Sequence, residues 1–160
     1  MNALNKTFLP TKMYKNRNWF IIDCKDQKLG RLATMIVAVL KGKTKPYYYP
    51  AFDSGDHVIL LNANFIRLNK EAKHYIVNNP GRPGRSLKIK NVSDCLSKFT
   101  IEQTVKGMLS KTEKKRLMRR LYIYNDHHHL HQAQNPIELD LSKFYTNLKI
   151  PVSLENDLVN

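Results

Sequence analysis

Trp19-Phe20-Ile21-Ile22-Asp23, then Leu29, Leu32, Ala33, Ile36, Val37 and Leu40, then His57-Val58-Ile59-Leu60-Leu61-Asn62 decide the fold. The first and last stretches are short continuous apolar runs, the pattern of strands buried on both faces. The middle set recurs at i, i+3, i+4, i+7, i+8 and i+11, which places it along one face of a helix. Gly42 stands where a helix-terminating glycine belongs, and Lys41, Lys43 and Lys45 sit at the negative end of that helix's dipole. Strand, helix and strand in this order predict a βαβ unit with a parallel strand pair.

Outward from this unit, residues 1–18 read as a polar basic arm carrying Lys6, Lys12, Lys15 and Arg17. On the other side, a loop from Pro46 to Asp56 leads into the second strand. Phe65–Leu68 and His74–Val77 read as two further short strands around an Asn69-Lys70 turn, followed by a Gly/Pro-rich loop, Asn78–Arg85. Ser93 is placed to cap a short helix to Lys98. Thr100-Ile101-Glu102-Gln103 matches a capping box opening another helix through Leu109, and Glu113–Leu121 reads as a third. Tyr122-Ile123-Tyr124 is a candidate final strand, with an extended tail from Asn125. No internal repeat or second domain is visible.

Charge sets the partner class. The 160 residues carry 27 Lys and Arg against 13 Asp and Glu, a net +14. It is unevenly spread: residues 1–120 hold 25 basic and 8 acidic side chains, residues 121–160 hold 2 and 5. Such self-repulsion in the body calls for a polyanion. The longest aliphatic stretch, Met35–Leu40, falls far short of the roughly 20 residues of a membrane span. Met1–Arg17 has no apolar run of the secretory kind, so neither a membrane partner nor export is expected. Cys24 and Cys95 lie far apart with no CxxC, and read as small core residues in a reducing compartment.

Lys114-Lys115-Arg116-Leu117-Met118-Arg119-Arg120-Leu121 is the strongest single feature. Like charges at helical i, i+4 spacing repel by a few tenths of a kcal/mol per pair unless an anion lies between them. A phosphate backbone supplies that anion, with Leu117 and Leu121 as the docking face; Arg119 and Arg120 are expected to bind it without supporting the fold. Gly81-Arg82-Pro83-Gly84-Arg85 offers two guanidiniums on a stiffened loop. Lys43-Thr44-Lys45-Pro46-Tyr47-Tyr48-Tyr49-Pro50 interleaves cations with rings that either stack on unpaired bases or pack on the sheet. His127-His128-His129-Leu130-His131 lacks the separated Cys or carboxylate partners of a metal site, so no metal and no cofactor are expected. Asp23, Asp53 and Asp56 leave a second class open: a metal-dependent nucleic-acid-processing enzyme. The alternative for Asp53-Ser54-Gly55-Asp56 is a turn whose carboxylates are spent on hydrogen bonds.

Taken together and in order, these strings resemble the bacterial-type large-subunit ribosomal protein thirteen family. Trp19–Asp23, Leu29-Gly30-Arg31-Leu32-Ala33-Thr34, Asp53-Ser54-Gly55-Asp56 with Leu61-Asn62-Ala63, and Val105-Lys106-Gly107-Met108-Leu109 carry the likeness. His129, His131, Ala133, Gln134 and Pro136 fall on the family's HxHxAQxP pattern, and the match spans residues 17–141. The resemblance implies a three-layer α/β/α domain over 19–141 and an extension at 142–160. It implies a structural rather than enzymatic role, direct binding to large-subunit ribosomal RNA, and an early part in subunit assembly.

By position, the resemblance implies that Arg31, Lys106 and His129 contact or brace that RNA. With them, Lys41, Lys43, Lys45, Arg82, Arg85, Lys111, Lys114, Lys115, Arg116, Arg119 and Arg120 make the expected RNA-binding set. Two departures stand out: Ser110 follows Met108-Leu109 where the family has proline, and Thr112-Glu113-Lys114-Lys115 replaces a Gly-rich turn. The lost proline, the added tail and the Asn/Lys/Ile-rich composition point to an organellar ribosome, plastid ahead of mitochondrion and a free-living bacterium third. After residue 136 the chain is net acidic, and Ile137, Leu139 and Leu141 alternate with Glu138 and Asp140. Residues 137–160 are therefore expected to meet neighbouring ribosomal proteins more than RNA.

Overall fold

The computed structural model describes residues 17–69, 71–77, 81–83, 86–92 and 95–140. The two apolar runs pair in parallel as β1 (Trp19–Asp23) and β2 (His57–Leu61), register Trp19↔His57 through Asp23↔Leu61. Between them runs α1 (Leu29–Lys41), which buries Leu32, Ala33, Met35, Ile36, Val39 and Leu40. Its end follows from Gly42, whose φ of 74° suits a residue without a Cβ. The Gly42 N–H reaches the Val39 carbonyl and the Lys43 N–H the Ala38 carbonyl, closing the last turn.

The rest of the main sheet comes from β5 (Leu121–Ile123) beside β2 and β6 (Ile137–Glu138) beside β1, all parallel, in the order β5-β2-β1-β6. Strand alternation divides the sheet's side chains. Phe20, Ile22, Val58, Leu60, Leu121 and Ile123 join one core with α1, α2 (Ser97–Met108) and α3 (Lys111–Met118). Trp19, His57, Ile59 and Tyr122 point to the opposite face, which the segment after β5 crosses on its way to β6. Both steps from β1 to β2 and β2 to β5 move the same way across the sheet, so right-handed crossovers put their helices on one side. The return to β6 runs the other way and covers the second side. The fold is three-layer α/β.

Several elements differ from the expectations above. β3 (Lys73–Val77) pairs antiparallel with β4 (Leu87–Asn91), not with Phe65–Leu68. Leu87-Lys88-Ile89-Lys90 carries a strict period-2 alternation, which the adjoining glycines and prolines mask. Phe65 instead closes a 3-10 turn, Ala63–Phe65, and the segment after it is tied to the entry of α1 through a parallel bridge between Lys28 and Arg67. α2 is one helix: Thr100 lies inside it, buried, its hydroxyl donating to the Leu96 carbonyl rather than capping. Ser93, the other proposed cap, lies outside the described residues, as does Lys70.

α3 starts at Lys111 and ends at Met118, three residues short of the expected end. The Val58 N–H donates to the Arg120 carbonyl, pulling the chain into β5 one residue early. The tail also returns to its own domain over its first residues. Ile137 and Glu138 pair with Phe20 and Ile21, and Leu139 packs on the core. Residues 1–16 and 141–160 lie outside the described residues.

Candidate nucleic-acid interface

Lys106 near the end of α2, with Lys111, Lys114, Lys115 and Arg119 from α3 and just beyond it, surrounds a shallow open depression floored by Met118. Lys111, Lys115 and Arg119 recur every fourth residue, so they share one edge of the helix. Among the described residues no carboxylate lines this depression; Glu102 meets Lys106 from within α2, at 3.0 Å. Glu113, the one acid in α3, is turned away: it accepts from the Ser110 hydroxyl at 2.7 Å and pairs with Lys41 at 3.6 Å. Ser110 sits at the N-cap of α3, so the residue replacing the family's proline is the helix start. Five cations around an apolar floor suit a phosphate chain with an apolar or ring contact beneath it.

Other cations of the expected set go elsewhere. Arg120 is buried, only 5% exposed, and binds Asp53 with both terminal nitrogens and the Gly55 carbonyl at 3.2 Å. It is a structural residue, not a free phosphate contact. Arg116 leans on the same carboxylate at 3.2 Å while over half its side chain stays exposed, and Arg17 adds a third charge at 3.6 Å. Partial burial opposes ionisation of Asp53, but the Arg120 hydrogen bond and the Arg120, Arg116 and Arg17 charges outweigh it. Its carboxyl is held below the usual carboxylate range.

Lys45 is likewise spent inside the protein, with Nζ 2.6 Å from Asp56 Oδ1 and 2.8 Å from the Ser54 carbonyl. The Asn18 N–H donates to the same Asp56 oxygen at 2.8 Å. Gly55 completes this clasp, since a Cβ there would lie 1.7 Å from the Leu40 carbonyl oxygen. Arg31, Lys43 and Arg82 are exposed, on the first turn of α1, after α1 and between β3 and β4 respectively. Arg85 lies outside the described residues. Tyr47, Tyr48 and Tyr49 are half-buried, and Tyr49 packs against Phe52 with ring centroids 5.7 Å apart.

The three aspartates do not converge. Asp53 and Asp56 precede β2, while Asp23 closes β1 at the other end of the parallel pair, roughly 16 Å away at strand rise. Asp23 is itself occupied, accepting from the Lys25 N–H and the Asn62 amide, each at 3.0 Å. The histidine run also disperses: His127 and His128 are exposed, His129 accepts from the His131 N–H, and His131 turns onto the sheet. Cys24 is buried, and burial, with Asp23's charge, pushes its thiol up to about 12, far from reactivity.

Sequence reading missed the ring layer that holds this second face. Trp19 stacks on His57 at 4.2 Å and 7°, and Tyr122 lies 5.4 Å from Trp19. His131 sits 4.5 Å from Tyr122 and 5.0 Å from Trp19. Desolvation, then the Arg120 and Arg17 charges, hold His57 below the usual imidazole range, so it stacks as a neutral ring. The strand register brings Trp19 beside His57, a signal available only once the pairing is known.

Among the described residues the chain is therefore a cationic, ring-braced α/β domain whose three aspartates do not converge. The sequence profile of the family described as Ribosomal protein L13 matches residues 17–130. "Large ribosomal subunit protein uL13c" of Trieres chinensis is 48% identical over 138 residues, 86% of this chain and 98% of that protein. "Large ribosomal subunit protein uL13" of Synechococcus elongatus is 42% identical over 147 residues, 88% and 97% of the two chains. The protein of the same name from Prochlorococcus marinus strain MIT 9312 is 40% identical over 142 residues, 86% and 99%. This chain belongs to the ribosomal protein L13 family, whose role is structural and not enzymatic.

Proposed function

We propose that this protein is a structural constituent of the large ribosomal subunit, binds that subunit's RNA directly and takes part early in its assembly. The observation that carries the reading is the ring of Lys106, Lys111, Lys114, Lys115 and Arg119, with no carboxylate among the described residues lining it. Arg31, Lys43, Arg82 and the exposed part of Arg116 extend the cationic surface to other faces. Arg85 and the basic arm at 1–18 belong to the same proposal, as do Lys41 and His129 in bracing roles. Residues 19–141 form the RNA-binding body, and the extension at 142–160, rich in apolar side chains and without net charge, faces neighbouring ribosomal proteins.

The plastid ribosome is the favoured setting, ahead of the mitochondrial and bacterial ones. Its support is the Asn/Lys/Ile-rich composition and the likeness to uL13c and to cyanobacterial uL13. The test is sucrose-gradient sedimentation of extracts from isolated plastids, with the protein expected in the large-subunit fractions. Its presence only at the top of the gradient would end this reading. With six cations on phosphates, log K for the purified protein should fall against log[salt] with a slope of about −4 to −5.

A further inference from the structure

Away from the α3 depression lies a cavity of about 490 Å3, between the start of α1, the side of α2 and the base of the β3–β4 hairpin. Leu68, Ala72 and Val92 give it apolar walls, and the Thr104 hydroxyl, itself donating to the Thr100 carbonyl, offers an acceptor. Lys28, Arg67 and Lys73 stand on its rim, and among the described residues no carboxylate lines it. The rim is built rather than incidental. The Arg67 N–H donates to the Gln27 carbonyl at 2.9 Å and the Leu29 N–H to the Arg67 carbonyl at 3.4 Å, so Lys28 and Arg67 are fixed side by side. Asp26 steadies the Arg67 guanidinium at 3.4 Å from outside the cavity.

Gly30 supplies the second observation. It lines the cavity within α1, and a Cβ there would meet nothing within 4 Å. A helical glycine costs stability relative to alanine, and neither a positive φ nor a close internal neighbour requires this one. A glycine that its own chain does not need is explained by something approaching from outside.

We propose that this cavity takes one unstacked nucleotide of the bound RNA. The base enters against Leu68, Ala72 and Val92 beneath the Arg67 plane, and the flanking phosphates rest on Lys28 and Lys73. Splayed bases held by guanidinium stacking are a general mode of single-stranded RNA recognition. A nucleotide fits better than an acidic peptide because it joins a flat apolar body to an anion, which is what walls and rim present together. The proposal rests on the ribosomal reading above.

The test uses large subunits assembled with the full chain as wild type, Gly30→Leu, Gly30→Ala or Lys28→Glu/Lys73→Glu. Sedimentation, thermal melting and single-nucleotide 2′-hydroxyl acylation of the RNA are the readouts. Gly30→Leu fills the cavity and should sediment with the subunit yet lose protection at one RNA nucleotide. Lys28→Glu/Lys73→Glu, both on exposed side chains, should lose protection at the same nucleotide and lower the salt slope of RNA binding by about two. That pair carries the test if Gly30→Leu fails to fold. Gly30→Ala should melt higher than wild type yet weaken protection at that nucleotide, because its methyl stands where the nucleotide approaches. Wild-type RNA reactivity in both the filled and the charge-reversed variants overturns the proposal. So does loss of a neighbouring protein with the RNA pattern unchanged, which would make the occupant a peptide. Failure of the wild-type chain itself to sediment with large subunits strikes the ribosomal reading instead.

Discussion

Arg119 and Arg120 are adjacent in sequence and opposite in fate. Arg120 turns inward to the clasp formed by Asp53, Gly55 and the end of α1, while Arg119 rims the open depression beside α3. The clasp holds its cations with carboxylates: Asp53 with Arg120, Asp56 with Lys45. The depression holds five cations with no carboxylate among the described residues lining it. Local sequence makes the two regions look alike, because both are Lys/Arg runs beside helix ends. They differ in whether a carboxylate from a distant part of the chain is delivered to them. A basic run is therefore a mixture of internal counter-ions and outward charge, and only the outward part can serve a polyanion.

The largest expected effect breaks the clasp. Arg120→Ala removes the bidentate partner of Asp53, leaving it the more exposed Arg116 and Arg17, and should cost about 3 kcal/mol of stability, the low end for breaking a buried pair. Urea denaturation measures it; a loss under about 1 kcal/mol would show that Arg120 behaves like its neighbour. In the depression the reverse holds. Lys111→Ala/Lys115→Ala/Arg119→Ala should lower the salt slope of RNA binding by about 2–3, with stability changing by no more than about 0.5 kcal/mol per site. Equal RNA affinity in the triple variant and wild type across a salt titration would remove the depression from the interface.

Acid separates the regions in another way. Asp53 is held below its unfolded value of about 3.9. Its contribution is therefore complete at neutral pH and disappears as pH falls through the lower folded value. Wild type should lose stability relative to Asp53→Asn as pH drops below about 4, in denaturation curves taken at stepped pH. A constant difference between the two would mean the clasp does not depend on the charge. The smallest effect is at Lys41, whose partly exposed pair with Glu113 should be worth about 0.2–1 kcal/mol, read by Lys41→Ala in the same assay.

By itself the sequence determined the βαβ centre, the apolar face of α1, its stop at Gly42 and the surplus of positive charge. Those are local signals: continuous apolar runs, 3.6-residue periodicity, a glycine at a helix end and a count of charges. It also held legible signals that nearby residues obscured, such as the alternation of Leu87–Lys90 and Ser110 at the start of α3. The pairing of β3 with β4, the ring stack of Trp19, His57, Tyr122 and His131, and the cavity beside Gly30 were decided only by the tertiary structure. So was the division of the cations. Asp53 lies 67 positions from Arg120 and Asp56 lies 11 from Lys45, and they meet because α1 and the parallel pair bring those ends together. Composition counts charges, but packing decides which of them are already neutralised.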